Sequence, residues 1–187
     1  MLKDLFNLRG KNVLITGSSQ GIGKAIALAM AEFGANVVVH NRKGDQEAWQ
    51  VSEQIREQGV KGDVIGVDLG QPNAVDNLFR QVTGLVGHID ILVLNASVQI
   101  PKVWEEISVD EFDAQVSANW KSTVLMMQRF APGMTERGWG RILTIGSVQE
   151  LKPHPAMVVY AGTKAAIANT VRNLALQLAD KGVTVNN

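Results

Sequence analysis

The chain has 187 residues, 45% of them hydrophobic, with no cysteine and a formal net charge of zero. That is enough apolar material for one substantial core, while the missing cysteines exclude disulfides and thiolate metal clusters. Balanced charge argues against a nucleic-acid partner held by bulk electrostatics, and the absence of any long apolar run argues against a membrane span.

The first residues, MLKDLFNLRGKN, scatter charges and show no secretory leader, so a cytoplasmic globular protein is expected. NVLITG (12–17) is a short β-rich run ending in glycine, and IGKAIALAMAEFG (22–34) has helical periodicity that stops at Gly34. NVVVH (36–40) is strand-like, and QEAWQVSEQIREQG (46–59) is an amphipathic helix closed by Gly59. DVIGVD (63–68) and PNAVDNLFRQVTGLVG (72–87) repeat the strand and helix patterns. DILVLNAS (90–97) and RILTIGS (141–147) are continuous apolar strands. Between them the segment 108–137 reads as one long helix, opened by a capping-box spacing of Ser108 and Glu111. A further helix is expected from near Pro155 to about Lys181, followed by a sixth strand in VTVNN.

Strands that are apolar throughout are buried on both faces, the mark of a parallel sheet covered by helices. Their alternation with helices predicts a Rossmann-type doubly wound α/β domain spanning 1–187, with strand order 3-2-1-4-5-6. Ligands of such folds bind beyond the carboxyl ends of the strands. At the first of these ends, ITGSSQGIG places Gly17, Gly21 and Gly23 between strand and helix. Glycines there allow a tight turn, and the helix N-terminus presents free N–H groups to a pyrophosphate.

The run TGSSQGIG, with its G-x-x-x-G-x-G spacing, resembles the cofactor signature of the short-chain dehydrogenase/reductase family. The resemblance implies cofactor contacts from Gly17, Ser19, Gln20, Gly21, Ile22 and Gly23. Strand two ends in His40, Asn41, Arg42 and Lys43, without the acid that would bind an adenosine ribose 2′-hydroxyl. A guanidinium suits a 2′-phosphate instead, so Arg42, beside Asn41, points to NADP(H) with NAD(H) also usable; the alternative is a solvated basic turn. Asp68 and Leu69 resemble the family's adenine contact, with helix N-capping as the rival role for Asp68. Asn95 and Ala96 match the family's N-N-A-G element, from which Leu94 and Ser97 depart.

The chain contains one tyrosine, Tyr160, thirteen residues after Ser147 and four before Lys164. A spacing of four puts Tyr160 and Lys164 on one helix face. S-x12-Y-x-x-x-K matches the family's catalytic set, and Asn119 in SANWKST resembles its remaining member. Hydride exchange with a secondary alcohol or ketone leaves one proton to handle, and a neighbouring ammonium favours the phenolate that takes it. A serine hydroxyl can stabilise charge on the substrate oxygen. The resemblance further assigns Lys164 and Tyr160 to the nicotinamide ribose and Asn119 to a water relay. It implies a homodimer or homotetramer, and a small alcohol or carbonyl substrate such as a 3-oxoacyl carrier-protein thioester, a sugar or a polyol. The other class is a catalytically idle dinucleotide-binding sensor or scaffold. Pro101, Trp104, Val148, Gln149 and Met157 are expected near the substrate. His40, His88 and His154 have no metal-ligand spacing and read as surface or core residues. Because the likeness breaks off inside strand six, the natural polypeptide is expected to be longer.

Overall fold

The structure, a computed structural model, describes residues 6–187; the charges at residues 1–5 used above lie outside the described residues. Its centre is a sheet of β1 (Asn12–Ile15), β2 (Asn36–Asn41), β3 (Gly62–Gly66), β4 (Ile91–Leu94), β5 (Gly140–Thr144) and β6 (Val183–Asn186). All neighbouring strands are parallel and run in the expected order β3-β2-β1-β4-β5-β6. Crossovers are made by α1 (Gly21–Glu32), α2 (Gln46–Arg56), α3 (Ala74–Val86), α4 (Val109–Gln115), α5 (Ser122–Glu136) and α6 (Val158–Leu178). Strand order reverses between β1 and β4, which opens a crevice at their carboxyl ends.

Side chains alternate across a strand. Val13 and Ile15 of β1 therefore join Val37, Val39, Ile91 and Val93 in the core under α1 and α2. Leu14 lies on the opposite face with Val38, Leu92 and Ile142, against Leu78, Met126, Phe130 and Ile167 of the other helices. Both faces are thus dry, which is why Val13 to Ile15 of β1 and all of β4 are apolar. Among the described residues, no helix is long and apolar enough to cross a membrane.

Two expected helices come out differently. The segment 108–137 is not one α-helix but α4, a π-helical turn from Val116 to Lys121, and then α5. The wider turn carries Asn119 inward to 1% exposure, where its amide holds the backbone of Val98 from both sides. Ser108 and Glu111 do form the expected capping box on α4. The last helix starts at Val158 rather than near Pro155, because His154 to Met157 closes as a separate turn, with Met157 N–H on the His154 carbonyl at 3.1 Å.

Candidate functional site

β1 and β4 are locked together at their ends by side chains. Thr16 Oγ1 accepts the backbone N–H groups of Asn95 and Ala96, both at 3.0 Å. Asn95 Nδ2 returns the connection, donating to the carbonyls of Thr16 at 2.9 Å and Gly17 at 2.8 Å. Gly17 takes a left-handed φ of 63°, open to glycine at no steric cost. A Cβ at Gly23 would lie 2.3 Å from the Gly17 carbonyl oxygen and 2.6 Å from Asn95 Nδ2, so α1 can approach β1 this closely only with glycine there. Gln20, the N-cap of α1, makes no side-chain cap bond, and the first turn carries no acid. The free N–H groups and positive dipole end therefore face the crevice unopposed. Ile22 stands beside them at 62% exposure.

Sequence reasoning did not foresee what lies behind this turn. His40 is a core residue, bridging Gly17 to β3. Its Nδ1 accepts the Gly17 N–H at 3.3 Å, which leaves Nε2 as the donor to the Val67 carbonyl at 2.9 Å. Ser18 is fully buried, donating to the Ile15 carbonyl at 2.7 Å and accepting His40 N–H at 3.0 Å. Burial pushes the His40 imidazole down to about 4, against the raising effect of its bond to Val67. Nothing in the local sequence pairs Ser18 or Gly17 with a residue more than twenty positions on.

A cleft of about 560 Å³ runs from the glycine turn along the ends of β2, β3 and β4. Gly17, Ser19, Gln20, Ile22, Asn41, Arg42, Asp68, Leu69, Asn95 and Ala96 all line it. Arg42 is exposed on its rim, and no ion pair engages it among the described residues. Asn41 is largely spent inside its own turn: Oδ1 accepts from Lys43 and Gly44 N–H, and Nδ2 donates to Asp45 at 2.7 Å. Asp68 is not a helix cap, since the residue before α3 is Asn73; its carboxylate instead accepts Gly70 N–H at 3.0 Å. Glycines admitting close approach, uncapped helical N–H groups and a cationic rim suit a dinucleotide phosphate.

The second half of the site forms where β5 ends. Ser147 opens a 3₁₀ turn, Val148–Glu150, and its Oγ accepts Gln149 N–H at 3.2 Å, leaving the hydroxyl proton free to donate. Tyr160 and Lys164 follow on α6, one turn apart. Lys164 is 4% exposed; its Nζ donates to the Ile145 carbonyl at 2.7 Å and lies 5.8 Å from the centre of the Tyr160 ring. Burial lowers the Lys164 pKa below its ordinary value, and the charge of Glu150 works in the opposite direction. Asn119 Nδ2 reaches Thr163, the residue before Lys164, at 3.2 Å, and also donates to the Val98 carbonyl at 2.8 Å.

Of the residues expected near a substrate, Trp104 and Gln149 share a cleft of about 430 Å³ with Glu150 and His154. Gln149 Oε1 is itself buried, without a hydrogen-bond partner among the described residues. Met157 accepts a contact from Gln99 Nε2 at 3.1 Å, while Pro101 and Val148 are exposed nearby along the chain. Glu150 was not singled out by the sequence, although S-V-Q-E has the same capping-box spacing as S-V-D-E.

Comparison with known proteins agrees with this geometry. A family model described as short chain dehydrogenase matches residues 11–187. The chain is 35% identical over 185 residues to a glucose 1-dehydrogenase of Gluconobacter oxydans, covering 98% of this chain and 69% of that one. A crystal structure of a 3-oxoacyl (acyl-carrier-protein) reductase from Agrobacterium tumefaciens with NADP bound superposes with a TM-score of 0.93 at 36% identity, over 98% of this chain and 70% of that one. A 7α-hydroxysteroid dehydrogenase complexed with NADH superposes with a TM-score of 0.90 at 34% identity, over 96% and 70%. The match runs from before β1 through β6 and takes in every strand end described above, so the protein belongs to the short chain dehydrogenase family, oxidoreductases that work with a nicotinamide dinucleotide on a Rossmann-type fold.

Proposed function

We propose that this protein interconverts a secondary alcohol and a ketone, with NADP(H) as the preferred hydride partner and Tyr160 as the group that exchanges the proton. The observation that carries the reading is the burial of Lys164 beside the Tyr160 ring at the end of β5, a position with little structural purpose for an ammonium. When bound, the dinucleotide supplies or accepts the hydride. The N–H groups from Gly17 to Gly23 would hold its pyrophosphate and Arg42 a 2′-phosphate. Asp68 and Leu69 would border the adenine, Asn95 and Ala96 would form the floor, and Lys164 would reach the nicotinamide ribose. In the direction of oxidation Tyr160 takes the hydroxyl proton, its phenolate favoured by the Lys164 ammonium; in reduction it returns that proton. Ser147 donates its free proton to the substrate oxygen and stabilises charge there. Asn119 acts from behind, fixing Val98 and the Thr163 turn, and the water relay that the resemblance assigns to it belongs to the same reading.

Two substrate classes suit the relatives: a 3-oxoacyl carrier-protein thioester, and a sugar or polyol. The cleft lined by Gln149, Glu150 and His154 favours the second, because polar side chains there would hydrogen-bond substrate hydroxyls. An idle dinucleotide sensor would keep the glycine turn but gains nothing from a buried Lys164. Assay of NADP⁺ reduction against a polyol panel, and of NADPH oxidation against ketones and 3-oxoacyl thioesters, tests the reading; no turnover in either direction contradicts it.

For cofactor choice, Arg42→Ala is expected to cut the NADPH-over-NADH affinity ratio about tenfold, the lower end for a charged hydrogen bond because Arg42 is exposed. Fluorescence titration of both dinucleotides measures it, and an unchanged ratio removes Arg42 from the role.

Assembly into a cytoplasmic homodimer or homotetramer is part of the same reading. Val109 (75% exposed), Phe112 (49%), Trp120 (40%) and Val158 (52%) line an open apolar groove between α4 and α6. Gly162 beside it has open space where a side chain would stand, which allows a second helix to approach closely. Light scattering should give a dimer or tetramer for the wild type and a smaller species for Phe112→Glu; a monomeric wild type contradicts it.

A further inference from the structure

We propose that Glu150 is a positioning residue of this site, orienting the turn that carries Ser147 and supplying a negative charge that acts on Lys164. The inference rests on the oxidoreductase reading above and adds a residue to it.

Glu150 is held from two directions. Its Oε1 accepts the Ser147 N–H at 2.8 Å, closing a capping box in which Ser147 Oγ accepts Gln149 N–H. Asn187, at the end of β6, donates from Nδ2 to both carboxylate oxygens, at 3.3 and 3.2 Å. Asn187 is itself fixed through Oδ1, which accepts the Thr144 hydroxyl at 2.5 Å. The carboxylate thus ties the Ser147 turn to the ends of β5 and β6 and is not free to swing into solvent. Three donated hydrogen bonds hold it stationary.

The backbone stretch that Glu150 holds at Ser147 also holds, two residues earlier at Ile145, the ammonium beside the phenol. Lys164 loses hydration on entering the core, a cost borne by its charged form, and the hydrogen bond to the Ile145 carbonyl is to a neutral group. Glu150, bound to the Ser147 N–H two residues beyond the Ile145 carbonyl that takes Lys164, brings a negative charge that favours the ammonium. Of the titratable groups, His154 shares the cleft that Glu150 helps to line, Lys164 on α6 lies on the carbonyl two residues before Ser147, and Asn187 after β6 carries a neutral side chain. A Ser147 turn could be capped by any side-chain acceptor at position 150. Only a charged one also supports Lys164, and this separates a catalytic contribution from a structural one.

Glu150→Gln tests the separation, because the glutamine carbonyl can still accept Ser147 N–H while the charge is gone. Removing the negative charge lowers the proton affinity of Lys164, so the alkaline limb of the pH profile of kcat/KM should move to lower pH. At the alkaline end turnover should fall about tenfold, with the KM for the dinucleotide little changed. Glu150→Asp, which keeps the charge and shortens the reach, should lose rate but leave the profile where it is in the wild type. A Glu150→Gln profile superimposable on the wild type overturns the proposal, and so does a Glu150→Asp profile displaced as the glutamine variant's should be. An inactive wild-type enzyme would remove the oxidoreductase reading as well, whereas an active one with an unmoved Glu150→Gln profile removes Glu150 alone.

Discussion

Replacing Tyr160 with phenylalanine is expected to lower turnover by about 10²–10⁴-fold, the usual contribution of a positioned acid–base group, while dinucleotide affinity stays within a few-fold of the wild type. The two side chains differ by one oxygen, so the partly buried ring keeps its packing on α6 and its place beside Lys164. What disappears is the only phenol in the chain; no second tyrosine can take over the proton. An unassisted phenol, with a pKa near 10, is a poor base at neutral pH. Lys164 sets an ammonium one helical turn away, 5.8 Å from the ring centre. Steady-state rates with the best substrate, together with fluorescence titration of NADPH, read the two quantities separately. Wild-type turnover in Tyr160→Phe would leave the proposed chemistry without its proton carrier.

The second large effect lies at the other end of the site and is one of stability. His40 is buried as a neutral imidazole with its pKa pushed down to about 4, whereas an unfolded histidine titrates near its ordinary value of 6.5. The folded-state value is depressed, so the stability is complete above the unfolded pKa and is lost as the pH falls through the window from 6.5 to about 4. Over that window the unfolded chain takes up a proton that the folded chain refuses, at a cost of about 3 kcal/mol. The structural reason is the tautomer. Protonation would set an Nδ1–H against the Gly17 N–H it now accepts, loosening the glycine turn after β1. Glu111, held down to about 2 by its bonds to Lys102 and Ser108, titrates in the folded state well below this window. Denaturant titrations at pH 7 and pH 5 should therefore show a marked loss in the wild type and a flatter dependence in His40→Gln. Equal losses in the two proteins would relocate the acid sensitivity elsewhere.

These two effects differ in how far they could be read from the chain itself. Tyr160 and Lys164 are four apart on one helix, and local geometry alone puts them on a common face. The glycines at 17, 21 and 23 lie in one turn, and their use follows from its tightness. His40 and Ser18 are twenty-two residues apart, and their hydrogen bond exists only because β1 and β2 pair in a particular register. Asn119 shows the middle case. Its resemblance to a catalytic asparagine was visible in SANWKST, but the π-helical turn around it was not, because apolar periodicity across 108–137 fits an unbroken helix equally well. Asn41 was expected at the cofactor, and the structure gives it the cleft wall while spending most of its amide on the turn that presents Arg42.

The sequence by itself determined the alternation of apolar strands with helices that makes a parallel sheet, and the pairing of a phenol with an ammonium, because these depend on periodicities and spacings of a few residues. Only the tertiary structure decided that Glu150 and Asn187 meet over Ser147, that Lys164 is buried, and that His40 supports the glycine turn. Those are matters of burial and of contact across distant strands, where the local dielectric and the availability of a partner are set by the folded whole.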